Sequence, residues 1–152
     1  VGAAIQQVSA AFAGRELRTS IAWSEPVLVG RFDFVHALRI LVNLLENAHK
    51  YSPKSKPVDI ELARVGPMIT ISVADRGPGV PAVERERIFE PFYRPERSTP
   101  DAGSAGLGLS IALRLAMAQG GTLSYADRVG GGSVFTLGLP AVADATMDAL
   151  AG

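Results

Sequence analysis

The stretch from Asp33 to Tyr51 constrains the fold more than any other part of the chain. Asp33 is placed to act as an N-cap. Ser52-Pro53 ends the run, because the residue before a proline avoids the helical region. Take Asn43 as zero on a wheel of ~100° per residue. Ala37, Leu41, Leu44 and Ala48 then cluster between about 100° and 160°. Asn47 falls at about 40°, Lys50 at about −20°, Tyr51 at about 80° and His36 near 20°. One face is therefore apolar, and the adjoining face holds two carboxamides, an ammonium and a phenol. A long helix of this kind must lie on a second layer that buries its apolar side.

The rest of the chain supplies that layer. Residues 3–14 read as a short helix, with Ile5, Val8 and Phe12 at helical spacing and Gly14 as a stop. Leu17 to Trp23 alternates as a strand, Glu25-Pro26 breaks it, and Val27 to Val29 is a second short strand. Val58 to Leu62 and Met68 to Val73 alternate cleanly around a hairpin turn at Val65-Gly66-Pro67. A short charged helix is expected over Val83 to Ile88. Glu90 to Ala105 has no apolar period, and a structureless stretch of that length is usually a functional lid. Gly106 to Gln119 returns to helix, with Leu109, Leu113, Leu115 and Met117 as its apolar positions and Gly120-Gly121 as its stop. Thr122 to Ala126 and Ser133 to Leu139 close the pattern as two strands around Gly130-Gly131-Gly132. The order predicts one α/β (α+β) two-layer sandwich over residues 1–140 and a small-residue tail over 141–152.

Composition narrows the function. With 152 residues and 47% hydrophobic side chains, the chain can bury a real core. It has no cysteine, which excludes a disulfide scaffold, a thiolate zinc site and a cysteine nucleophile. Its two histidines, His36 and His49, are too few for a multi-histidine metal cage. Fifteen basic and fifteen acidic side chains give zero net charge, hence no bulk attraction to nucleic acid or anionic lipid. No stretch reaches the roughly 18 apolar residues of a membrane span. Val1 opens the chain without a basic leader, as expected of a fragment excised from a longer protein with no signal peptide to remove.

Three motifs carry chemistry. Asn43 and Asn47 lie one helical turn apart, although asparagine is a mediocre helix former. A carboxamide oxygen is a hard neutral ligand for Mg²⁺, which usually bridges to phosphates, and Lys50 one turn on would meet those phosphates as a point charge. A solvated polar face is the plainer alternative. Glu46 points about 100° from Asn47 and reads as a surface charge. Asp75-Arg76-Gly77-Pro78-Gly79 follows a strand directly. A buried carboxylate there can accept from an exocyclic amine such as that of adenine, and the glycines admit a flat base closely. By itself the segment is equally a Gly/Pro turn. Gly106-Leu107-Gly108 opens a helix, where backbone N–H groups suit phosphate. It is neither a dinucleotide fingerprint nor a phosphate loop ending in Gly-Lys-Ser/Thr. Between these lies Ile88-Phe89-Glu90-Pro91-Phe92-Tyr93-Arg94. Its aromatics Phe89 and Phe92 are expected to anchor the lid by packing, with Arg94 and Arg97 either near a γ-phosphate or simply solvated.

Together these segments resemble the catalytic, ATP-binding domain of bacterial sensor histidine kinases, from about Val1 to Pro140. Asn43 to Tyr51 resembles the family's N box. Asp75 to Gly79 resembles its first glycine box, Phe89 to Phe92 its F box, and Gly106 to Leu109 its second glycine box. They stand in the family's order with family-like gaps. The phrase Asn-Leu-Leu-Glu-Asn-Ala, with Tyr-Ser-Pro after it and Pro26 before it, also resembles the potassium-responsive KdpD type.

The resemblance implies the Bergerat fold: a mixed, largely antiparallel sheet, helices on one face and a flexible ATP lid. It implies ATP and Mg²⁺ as ligands. Asn47 would ligate Mg²⁺ with Asn43 beside it, Lys50 would contact phosphate, and Tyr51 would line the pocket. Asp75 would accept from the adenine amine, with Gly77 and Gly79 shaping the base site. Gly106, Leu107 and Gly108 would admit the phosphates, and Arg94 would meet the γ-phosphate during transfer. Ala105 stands where the family often has Thr or Ser, so the lid's phosphate hydroxyl is missing unless Ser104 supplies it.

Hydrolysing members of the superfamily carry a glutamate one turn before the Mg²⁺ asparagine. Here that position is Asn43, which leaves no evident activator of water. Transfer to a partner is favoured over an ATP-hydrolysing or ATP-switched module, and over a degenerate binding module. A family acceptor histidine is followed by an acidic residue, whereas Ala37 follows His36 and Lys50 follows His49. The acceptor is therefore expected on a separate upstream dimerisation domain, and a response regulator is reached through the full-length kinase. This fragment is expected to be a monomer that touches neither nucleic acid nor membrane and autophosphorylates poorly. It would form the cytoplasmic part of a membrane-anchored sensor.

Overall fold

Alternating side chains in four segments give the sheet one apolar face and one polar face. The computed structural model describes residues 2–8, 15–21, 34–93 and 108–141. Its strands are β1 (Leu17–Ile21), β2 (Val58–Val65), β3 (Met68–Ala74), β4 (Thr122–Asp127) and β5 (Ser133–Pro140). They form one five-stranded sheet in the order β1-β2-β3-β5-β4. β1 runs parallel to β2, and every other neighbouring pair is antiparallel. Ile60, Val73, Phe135 and Tyr125 are in register across four strands, as are Leu62, Ile71, Leu137 and Leu123. These rows line the buried face. The alternate row, Glu61, Ser72, Thr136 and Ser124, lines the other, where the Ser72 and Thr136 hydroxyls are 3.0 Å apart.

A parallel pair needs a crossover, and the helix α2 (Phe34–Tyr51) lies within it. Ile40, Leu44 and Leu45 of α2 are fully buried, with Ala37, Leu41 and Ala48 beside them in the core. The helices α1 (Gly2–Val8) and α3 (Gly108–Ala118) flank α2 and complete the layer. In α1, Ala4 is buried and Ile5 packs on the same core. The expected two-layer sandwich with a mixed, mainly antiparallel sheet is therefore present.

Several local expectations need correction. Helical spacing selects the large residues of α3 as its apolar positions, yet its buried residues are Ser110, Ala112 and Ala116, and Met117 is exposed. Alanines let α3 approach α2 closely, and Leu109, Leu113 and Leu115 pack around the edge of that contact. The charged helix over Val83 to Ile88 is only one 3₁₀ turn, Ala82–Glu84, followed by hydrogen-bonded turns. The backbone leaves the helical path there because Ile88 and Phe89 turn into the core.

Phe89 packs edge-on against Phe135 at 6.2 Å, as an anchor should. Phe92 does not: its backbone is left-handed (φ 64°) and its side chain is 70% exposed. Tyr93 turns inward instead, with its hydroxyl 2.6 Å from Glu84 Oε1 and its ring under the Arg87 guanidinium. β1 and α1 match the described parts of their expected spans. The expected cap Asp33, the strand Val27 to Val29, residues 94–107 and the tail after residue 141 lie outside the described residues.

Candidate functional site

The carbonyl end of α2 meets the turn that follows β3, and this junction organises the site. Asn43 and Asn47 are both half-buried on the border of the helix's apolar face, while Glu46 between them is exposed. Lys50 and Tyr51 occupy the last turn, with the lysine Nζ 5.8 Å from the Tyr51 ring centre. His36 is exposed near the start of the helix. His49 is half-buried, and burial together with the charges of Arg15 and Lys54 lowers its pKa. Among the described residues, no cluster of three or more His, Asp or Glu side chains could cage a metal. A divalent cation here would rest on carboxamide oxygens and on the oxygens of a ligand.

Asp75 is the most deeply buried acid of the junction, at 3% exposure. Its backbone N–H donates to the Ser133 carbonyl at 2.9 Å, which prolongs the β3–β5 pairing by one bond. Its Oδ1 accepts from Gly77 N–H at 2.8 Å and from Ser133 N–H at 3.4 Å. Burial pushes the Asp75 carboxyl above its ordinary value of 3.8. The two backbone N–H groups, and the positive charges of Arg15 and Arg128, pull it partly back. The carboxylate is thus costly to keep in place, yet it is fixed by backbone donors on one oxygen.

Two glycines make this packing possible. A Cβ at Gly77 would collide with the Tyr51 carbonyl, so the turn can rest on the end of α2 only with glycine at that position. A Cβ at Gly132 would collide with the Asp75 carbonyl, where β5 enters beside the turn. Downstream, Val80 N–H donates to the Tyr125 hydroxyl at 2.9 Å, and that hydroxyl donates to Asp127 Oδ1 at 2.9 Å. Arg76 donates to the Pro57 carbonyl at 2.6 Å and to Asp59 Oδ2 at 2.7 Å. The glycine turn is therefore tied to α2, β2, β4 and β5.

The structure brings Asn43, Asn47, Lys50 and Tyr51 onto one helix and sets Gly77, which is hydrogen-bonded to Asp75, against its carbonyl end, while Gly79 faces Gly132 and the Tyr125 hydroxyl. Gly108 is the first residue of α3, and a side chain there would meet no described atom within 4 Å. Arg94, Gly106 and Leu107, like Arg97, Ser104 and Ala105, lie outside the described residues. A cavity of about 340 Å³ opens beside Gly79, with Val80, Arg85, Asp127 and Arg128 in its wall, but none of the polar groups of α2 lines it.

Sequence reasoning misses two partners of the site. Alternation marks Ser133 only as a strand residue, although the glycine run before it signals a close approach of backbone. Arg15 carries no signal, since nothing in a lone arginine before a strand tells that it is buried.

Comparison with known proteins gives a consistent result. The profile of the histidine kinase-, DNA gyrase B- and HSP90-like ATPase family matches residues 32–143. The sensor-like histidine kinase SenX3 of Mycobacterium tuberculosis is 39% identical over 143 residues, covering 93% of this chain and 34% of SenX3. The sensor protein KdpD of the same species is 41% identical over 106 residues, covering 70% of this chain and 12% of KdpD. Identity to the two is similar, so KdpD is one relative among several and the likeness extends to sensor kinases as a group. The solved structure of the mycobacterial sensor histidine kinase MprB superimposes with a TM-score of 0.74 at 27% identity, covering 91% of this chain and 89% of that one. The chain spans about a third or less of the length of these curated relatives.

Proposed function

Because the chain belongs to the histidine kinase-, DNA gyrase B- and HSP90-like ATPase family, we propose that it is the catalytic domain of a bacterial sensor histidine kinase. It binds Mg·ATP and passes the γ-phosphate to a histidine outside this chain. The observation that carries this reading is Asp75. Among the described residues, both hydrogen bonds to its side chain fall on Oδ1, which leaves Oδ2 to accept from an exocyclic amine. A carboxylate held by backbone donors at a glycine turn is pre-organised for a base such as adenine, because its geometry is fixed before the base arrives.

The donor set fits the remaining parts of the ligand. Asn47, with Asn43 one turn before it, presents neutral oxygen ligands suited to Mg²⁺. When bound, the ion would neutralise charge on the phosphates. Lys50 would hold the phosphates as a point charge, and Tyr51 would line the pocket beside Gly77 and Gly79. Gly106, Leu107 and Gly108 would admit the phosphates at the start of α3, and Arg94 would meet the γ-phosphate. Transfer forms a P–N bond on the acceptor imidazole and breaks the bond from the γ-phosphorus to the bridging oxygen, whose electrons leave with ADP. The protein's share of this is positioning and charge neutralisation.

Asn43 is uncharged where hydrolysing relatives carry a base, which favours transfer over hydrolysis. His36 and His49 lie on α2 itself, so neither is the acceptor in this reading. The acceptor belongs to an upstream dimerisation domain, and a response regulator receives the phosphate from there. Residues 1–140 form the catalytic unit and 141–152 a tail. Among the described residues, no helix is long and apolar enough to cross a membrane. We place the unit on the cytoplasmic side of a membrane-anchored sensor.

Calorimetric titration with a non-hydrolysable ATP analogue tests the pocket. Saturable binding that tightens when Mg²⁺ is added is expected. No binding in either condition would overturn the assignment.

A further inference from the structure

Arg15 lies outside every motif of the sequence, yet it is only 8% exposed. Its guanidinium donates to Ser52 Oγ at 2.6 Å and to the Ser52 carbonyl at 3.0 Å. Ser52 Oγ donates in turn to the Ala48 carbonyl at 2.6 Å. The arginine therefore caps the carbonyl end of α2, where a helix concentrates negative partial charge and favours a cation. The neighbouring residue joins the same knot, since the Glu16 carbonyl accepts from Val58 N–H at 3.0 Å at the start of β2. The carbonyl just before Ser52 is that of Tyr51, the atom that Gly77 abuts.

We propose that Arg15 is a positioning residue of the nucleotide site, holding the carbonyl end of α2 in the place against which the glycine turn after Asp75 rests. The inference depends on the assignment of Asp75 to the base, and it adds a residue that no motif supplies. The contacts give one contribution, and the charge gives a second. The two-pronged contact with Ser52 fixes the last turn of α2, which carries Lys50 and Tyr51. The guanidinium also adds its charge to that of Arg128 in the field of the buried Asp75 carboxylate, which helps to keep it ionised. Arg15 stays protonated throughout the working pH range.

Asp75 feels Arg15 and Arg128, besides the N–H groups of Gly77 and Ser133. Arg15 feels Asp75. His49 feels Arg15 and Lys54, and would add its own titration to any profile. The test is therefore made in a His49→Gln background, by calorimetric titration of the non-hydrolysable ATP analogue across acid to neutral pH.

Arg15→Gln keeps a donor for Ser52 and loses the charge. Arg15→Lys keeps the charge and loses the fork. For Arg15→Gln, affinity at neutral pH is expected to fall about tenfold. Its acid midpoint of binding moves to higher pH, because Asp75 protonates more easily. For Arg15→Lys, affinity falls by a smaller factor and the midpoint stays where the Arg15 protein has it. A role confined to folding lowers the melting temperature and leaves the affinity of the folded protein unchanged. If both variants bind the analogue with the affinity of the Arg15 protein, the inference is overturned while the pocket assignment stands. If the Arg15 protein binds no analogue at any pH, the pocket assignment falls and this inference with it.

Discussion

Replacing Asp75 with asparagine is expected to weaken binding of the ATP analogue by about 30-fold, without destabilising the unliganded domain. The loss corresponds to one hydrogen bond to a charged acceptor, worth about 2 kcal/mol. The substituted carboxamide would keep an oxygen for Gly77 N–H and Ser133 N–H, so the turn retains both of its bonds. The position facing the base would carry an NH₂ group and would repel a donor.

Stability goes the other way. Burial raises the folded-state pKa of Asp75 above its ordinary 3.8, so its contribution to stability is present below that value and lost as pH rises through the folded-state pKa. At neutral pH the buried charge is a net cost that D75N removes. Thermal melts should therefore place the variant at or above the parent at neutral pH, with the gap closing in acid. Analogue binding by the parent should weaken over the same acid range, as the acceptor is protonated. A D75N protein that binds like the parent, or that melts far below it at neutral pH, would contradict this account of the residue.

Asn47→Ala is expected to lower the rate of γ-phosphate transfer by about 100-fold at saturating Mg²⁺, since a positioned ion contributes several kcal/mol to charge stabilisation. Binding of the analogue without Mg²⁺ should be nearly unchanged, because in the proposed site the base end rests on Asp75. Alanine is the better helix former and Asn47 is only half-buried, so α2 should tolerate the change. Transfer kinetics and Mg²⁺-free calorimetry on the same preparation separate the two effects. Equal loss in both would mean that Asn47 supports the pocket and not the metal.

The sheet and its principal helix are legible in the sequence because their periodicities are strong. β2 and β3 alternate cleanly, β4 and β5 are marked by the glycines around them, and α2 runs from one residue after Asp33 to the residue before Ser52. Of the candidate site, the glycine turn is legible because backbone meets backbone at Gly77, where only glycine fits. What escapes notice depends on tertiary contact. The buried face of α3 is set by how near α2 comes, which favours Ala112 and Ala116 over the leucines. Phe92 loses its place in the core to Tyr93 through a single left-handed residue, which spacing alone cannot foretell. Arg15 becomes visible only when the fold brings it 37 residues along the chain to Ser52.

The central claim is that this domain phosphorylates a histidine it does not contain. It is tested most directly by mixing the chain with γ-labelled ATP, Mg²⁺ and the dimerisation domain of its own kinase. Label should appear on a histidine of the added domain, and the chain alone should take up almost none and release little free phosphate. Stoichiometric labelling of His36 or His49 in the chain alone, or steady phosphate release without the added domain, would contradict it.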